Sequence, residues 1–218
     1  MINELIFFVQ TIIVAGFVLG ALRLGREALV TCVTLLYVTA NIFVVKQVTL
    51  FGFDVTCADV YIIGAVLASN LIQEYFGRDL AEKTIWISFF ISLMFLVMSQ
   101  VHLQYFPNPY DVTQNSFLNI LGLLPRIVVA SFIAYISSQY FRLFLYSFFK
   151  RIFSNNLFAR NLFTTLIEQA LDTVVFGFIG LYGVVHAMTD VFVVSYSIKI
   201  LAILLTIPWV LLARKVIR

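Results

Sequence analysis

Three ionisable residues stand where charge is costly: Arg126, Asp172 and Lys199 each lie inside a long apolar run. An ionised side chain at mid-bilayer costs at least about 2.5 to 3.5 kcal/mol, so such groups face one another or a wet cavity. Counting about 1.5 Å per helical residue, Arg126 lies about 13 Å and Lys199 about 12 Å from the outer ends of their runs, and Asp172 about 12 Å from the inner end of its own. In a hydrocarbon core about 30 Å thick, the three meet near one depth. Asn41 and Asn70 share this middle zone, with Glu74 and Glu168 nearer the cytoplasm. Asn70, Gln73 and Glu74 are three and four residues apart, as are Glu168, Gln169 and Asp172, so each group shares a helix face. Arg126 and Lys199 would hold the acids in place and neutralise the cavity.

Phe43, Tyr61, Tyr135 and Phe176 fall near the same layer, where a ring could stack on a flat ligand. A carboxylate, amides and aromatic rings together suit a planar heterocycle with amino and carbonyl edges. The competing reading is structural: ion pairs and interhelical hydrogen bonds that lock a bundle, with ordinary solvation for Glu74 and Arg78 near the inner interface.

The elements that must position these residues are transmembrane helices. Of 218 residues, 62% are apolar and 11% charged, far from the balance of a water-soluble domain. Apolar stretches of about 20 residues bounded by charge or turn formers predict an all-α polytopic bundle of about seven spans. These run over residues 2–22, 28–45, 59–76, 84–103, 117–140, 164–182 and 191–213, in a single transmembrane domain covering 1–218. Pro125 is expected to kink the fifth. The segment 47–58 is too short to cross; it either dips into the protein as an external cap, carrying Phe51, Gly52 and Phe53, or forms a plain surface turn. A polar link, Ser154 to Asn161, is expected before the sixth span.

Loop charge orients the bundle, because short cytoplasmic loops collect Lys and Arg. With the carboxyl terminus in the cytoplasm and the amino terminus outside, Arg23, Arg26, Arg78, Lys83, Arg142, Lys150, Arg151, Arg160, Arg214, Lys215 and Arg218 fall inside and only Lys46 outside. The first run lacks a basic start and a cleavage site, so it is expected to remain as a span. The location implied is the cytoplasmic (inner) membrane.

Other classes find little support. The basic residues read as topology signals, and no nucleic-acid partner is implied. Cys32 and Cys57 are expected on different sides of the membrane, too few for a metal cluster and misplaced for a disulfide. His102 and His186 are lone interfacial histidines. Zinc, nucleophile-elbow and phosphate-loop motifs are absent from the sequence, so no catalytic residue, cofactor or enzymatic activity is expected. Gly16 and Gly20 make a GxxxG spacing, expected to serve packing within the monomer more than a homodimer seam.

Taken in order, Ala40-Asn41, Lys46 and Phe51-Gly52, then Ala68-Ser69-Asn70, Glu74, Gly77 and Trp86, then Gly122 to Val128 with Ala130-Ser131, Ala134-Tyr135 and Ser138-Gln139, then Thr164-Thr165-Leu166, Gln169, Asp172-Thr173, Lys199 and Pro208 resemble the queuosine precursor transporter, or vitamin uptake transporter, family. The resemblance spans nearly the whole chain. It implies import of a 7-deazaguanine base by a six-helix core similar to the substrate-binding subunits of energy-coupling-factor transporters, here with an added first helix. The family's polar positions map onto Asn41, Asn70, Glu74, Arg126, Gln169, Asp172 and Lys199, to which Tyr135 is added as a stacking ring. Asn70 and Arg142 stand where the family usually has Asp, which leaves open the choice among the nitrile base, the aminomethyl base and queuine. A homodimer or an external energising partner is compatible with the sequence. The alternatives are a carrier for another vitamin-like heterocycle, an intramembrane enzyme or a structural subunit.

Overall fold

The computed structural model describes residues 2–153 and 157–200. Its helices run back and forth between two ends: α1 Ile2–Leu24, α2 Arg26–Phe43, α3 Asp59–Phe76, α4 Arg78–His102, α5 Gln114–Leu121, α6 Leu124–Ile152, α7 Leu157–Phe176 and α8 over residues 188–200. A short antiparallel hairpin, β1 Val48–Leu50 and β2 Phe53–Val55, joins α2 to α3. The chain thus folds as an all-α membrane bundle of about seven passes, with α5 and α6 together making one.

Among the described residues, five stretches are long and apolar enough to span by themselves: Ile2–Leu24, Arg26–Phe43, Arg78–His102, Gln114–Ser138 and Phe163–Leu181. Helix α3 has the length, 18 residues, but Asp59, Asn70, Gln73 and Glu74 lower its hydropathy. It packs against α1, α2 and α4, while Asn70, Gln73 and Glu74 stay exposed. Of the expected seventh span, residues 201–213 lie outside the described residues, as do Pro208, Arg214, Lys215 and Arg218.

The helix surfaces are inverted relative to a soluble protein. Ile12, Ile13 and Phe17 of α1, and Trp86, Phe90, Met94 and Met98 of α4, point outward, as lipid-facing residues do. The α4 face that turns inward is instead small and hydroxylated: Thr84, Ser88, Ser92 and Ser99 are buried. Small side chains let helix backbones approach closely where lipid supplies no hydrophobic drive. Thr34 of α2 meets Ser88 there, their hydroxyls 3.2 Å apart, and a carbonyl one turn back satisfies each: Val30 for Thr34, Thr84 for Ser88. Gly16 and Gly20 behave otherwise than expected. A Cβ at either would meet nothing within 4 Å, so they lie on the outward surface of α1 and bring no helix close within the monomer.

Two links are single residues, Gly25 between α1 and α2 and Gly77 between α3 and α4, at φ 107° and 95°. Side-chain-bearing residues rarely adopt these values, so glycine lets each helix reverse at once. The basic residues Arg23, Arg26, Arg78 and Lys83 gather at this end, while Lys46 lies at the hairpin end.

The hairpin caps the bundle end through its strands, while its turn, with Phe51 and Phe53, stays exposed. Leu50 and Val55 are 0% and 1% exposed, packed with Phe7, Val60, Val194 and Ile198. Phe51 and Gly52 both have positive φ, 54° and 84°, the pattern of a tight turn whose twist matches two-residue hairpins. Polar straps tie it across the bundle end: Asn3 donates to the Thr49 carbonyl, Phe51 N–H to Glu4, and Asp54 N–H to Asp190. Just before β1, Gln47 bonds the Val184 carbonyl and accepts from His186 N–H.

Two expected boundaries are corrected. The fifth span is broken at Gly122-Leu123 rather than kinked; Pro125 sits in the first turn of α6, where a missing N–H removes no helical bond. The link before the sixth span is half helical, since α7 already begins at Leu157; residues 154–156 lie outside the described residues. Cys32 and Cys57 are both free thiols.

Candidate functional site

Helices α7 and α8 bring an acid and a base of the predicted layer into direct contact. Lys199 Nζ donates to Asp172 Oδ2 at 2.6 Å and to Thr173 Oγ1 at 3.0 Å, with the Lys199 and Asp172 side chains 13% and 28% exposed. The Thr173 hydroxyl is oriented by donating to the Gln169 carbonyl at 2.8 Å. The approach of the two helices rests on Gly177, which begins a π-helical turn, Gly177–Leu181, continuing α7. A Cβ there would lie 2.1 Å from the Phe192 ring of α8, so a larger residue would push α8 away.

A second carboxylate lies outside this pair, at the start of α3. Asp59, the first residue of α3 and 7% exposed, accepts a 2.8 Å hydrogen bond from Ser195 Oγ of α8. Both Lys199 and Asp172 lie within Coulombic range of it. Tyr37 of α2 is in turn within electrostatic reach of Asp172 and Tyr135. Sequence reasoning treated Asp59 as the edge of a span, and Tyr37 and Ser195 as unremarkable. The signal available was spacing: Ser195 and Lys199 are four apart on one helix face.

Arg126 does something different from what was expected. Its Nε donates to the Ile179 carbonyl at 2.7 Å and its Nη2 to the Tyr182 carbonyl at 2.5 Å. The end of a helix leaves carbonyls without intrahelical partners and carries partial negative charge. Arg126 therefore clamps the start of α6 to the end of α7, and these hydrogen bonds run to backbone and not to Glu74 or Asp172.

Asn41 is held by α6, where Ser131 Oγ donates to its Oδ1 at 3.0 Å. Tyr135 packs against Phe89 with ring centroids 5.3 Å apart. Gln169 is partly buried one turn before Thr173, and Glu168 is buried. Asn70, Gln73 and Glu74 form an exposed polar face on α3. Phe43 and Tyr61 stack near the hairpin end at 5.7 Å, with Gln10 on the Tyr61 hydroxyl, and Phe176 packs among apolar residues. Tyr75 and Ser138 hydroxyls are buried without a hydrogen-bond partner among the described residues. The structure thus joins Asp172 to Lys199, packs Tyr135 on Phe89 and commits Arg126 to backbone carbonyls.

Buried ionisable groups inside a helical membrane bundle mark a functional site. The family described as "Putative vitamin uptake transporter" matches residues 56–213, and the chain belongs to that family. A protein of Bacillus subtilis (strain 168), "Probable queuosine precursor transporter", is 32% identical over 197 residues, covering 88% of this chain and 86% of the relative. No solved structure matches. The chain is therefore a multi-pass membrane transporter.

Proposed function

We propose that this transporter imports a 7-deazaguanine base, a precursor of queuosine, across the cytoplasmic membrane. The observation that carries the reading is the relative whose name states queuosine precursor transport, supported by the partly buried Asp172–Lys199 pair in the bundle. A guanine-like base offers an amino and ring N–H edge to a carboxylate and a carbonyl to an amide donor. Glu74 or Asp172 takes the first role, Asn41, Asn70 or Gln169 the second, and Tyr135 covers one face. Lys199 fixes Asp172, and Arg126 fixes the helices. One transmembrane domain carries the whole activity. The gathering of Arg23, Arg26, Arg78 and Lys83 at one end favours that end in the cytoplasm and the amino terminus outside.

Direct competition on the purified protein tests the substrate class. The nitrile base, the aminomethyl base and queuine are set against guanine, adenine and vitamins such as biotin and riboflavin. At least one deazaguanine should displace labelled probe tenfold or more better than any purine or vitamin. A purine or vitamin that wins by that margin would reassign the carrier.

A further inference from the structure

Asp59 is a buried ionisable group that the substrate reading leaves without a task. It follows the hairpin, whose Leu50 and Val55 pack on its neighbour Val60 and on Val194 and Ile198 of α8. Among the described residues the groups facing it are Ser195 and Lys199 from α8, Asp172 from α7 and the Cys57 thiol from the preceding loop, which Lys46 reaches from its other side. Directly around Asp59, two carboxylates and one ammonium leave one negative charge in excess when all are ionised. Lys199 bonds Asp172 at 2.6 Å, whereas Asp59 receives a neutral hydroxyl at 2.8 Å. A net charge in a low-dielectric layer demands a counter-charge. A metal ion requires several converging ligands, and among the described residues no group of three His, Cys, Asp or Glu side chains could hold one. A proton needs a single carboxylate oxygen.

We propose that Asp59 is the proton-binding site of this transporter and that one proton travels inward with each base. The step is a simple protonation: H+ adds to a carboxylate oxygen of Asp59, COO− becomes COOH, and no bond in the base changes. The protonated cluster is neutral, so the loaded bundle rearranges without drawing net charge through the apolar layer. Release of the proton on the other side restores the carboxylate. This inference rests on the base-transport reading, and the test separates the two.

The full chain is reconstituted in liposomes, with the membrane potential clamped by potassium and valinomycin. Each of the nitrile base, the aminomethyl base and queuine is supplied in labelled form. Exchange of labelled for unlabelled base at equal pH measures transport itself; accumulation under a one-unit inward acid gradient measures coupling. Wild type should exchange at least one base and accumulate it about tenfold, the ratio one proton supplies per pH unit. Asp59→Asn should exchange within about twofold of wild type yet show no accumulation, and Asp59→Glu should recover accumulation. Exchange by wild type with no response to the gradient, or accumulation by Asp59→Asn equal to wild type, would overturn proton coupling and leave base transport standing. No exchange of any base by wild type would overturn both.

Discussion

The two ends of α3 hold polar side chains under opposite conditions. At the hairpin end, Asp59 is buried and given a hydroxyl by Ser195. About three turns along the same face, Asn70 begins a stretch in which Gln73 and Glu74 are also exposed. The first region sets two carboxylates against the Lys199 ammonium in a buried pocket, whereas the polar side chains of the second lie at the surface. The hairpin end is strapped shut by at least five polar contacts to α1, α8 and the turn after α7. The opposite end reverses through single glycines and carries an exposed ion pair, Arg78 to Glu82, at 2.7 Å.

The largest expected break in this contrast comes from Lys199→Met, which strands Asp172 and Asp59 as unpaired acids. Removing one partner of a buried pair costs about 3 to 5 kcal/mol, and the partial exposure of Asp172 places the loss toward the lower figure. Loss of monodisperse protein in detergent on mild heating reads it, and adding Asp172→Asn should recover most of the stability. Leu50→Ala removes a fully buried side chain from the hairpin and should cost about 2 to 5 kcal/mol, seen as a lower melting temperature and as faster proteolysis at the hairpin end.

Two carboxylates bear on transport: Glu74→Gln, on the exposed face of α3, should spare stability, whereas Asp172→Asn also breaks the Lys199 pair and should lose some. Glu74→Gln and Asp172→Asn should each lower uptake at least tenfold at normal membrane expression; unchanged uptake in both would remove the proposed substrate site. Asn70→Asp should shift the order of preference among the three bases by a few-fold without changing thermal stability, because it replaces a neutral amide with an acceptor for N–H groups. The smallest effect concerns the loop between α4 and α5. Asp111 accepts from the Thr113 N–H at 2.7 Å and hydroxyl at 2.8 Å, which holds its carboxyl below the usual range. The ordering this supplies is complete above the ordinary carboxylate pKa and lost only as pH falls through the lowered one. Proteolysis at Tyr110 should therefore be unchanged between pH 7 and 5.

Much of the bundle was legible because hydropathy and loop charge record how a chain meets lipid. The third span matched α3 from Asp59 to Phe76. What escaped prediction depended on side chains meeting across helices. Pro125 has one sequence meaning in a continuous helix and another at a first turn, and only the break at Gly122-Leu123 decides between them. Arg126 was placed by depth, but its partners are carbonyls exposed by a π-helical turn that no residue type announces. Lys199 met Asp172 as anticipated, since few alternatives existed at that depth. Asp59 was missed because a carboxylate at the edge of an apolar run looks like a boundary; Ser195, which bonds it, comes from α8 far along the chain. The inward hydroxyl face of α4, Thr84, Ser88 and Ser92, was readable in its four-residue spacing.

The central claim, that this polar interior carries a deazaguanine, is tested most directly in cells that can neither make nor import queuosine precursors. The chain is expressed, each base is supplied separately, and queuosine is measured in transfer RNA. Wild type should restore the modified nucleoside with at least one of the nitrile base, the aminomethyl base or queuine, and the Glu74→Gln, Asp172→Asn double variant should not. Well-expressed, membrane-inserted wild type that restores queuosine with none of the three would contradict it.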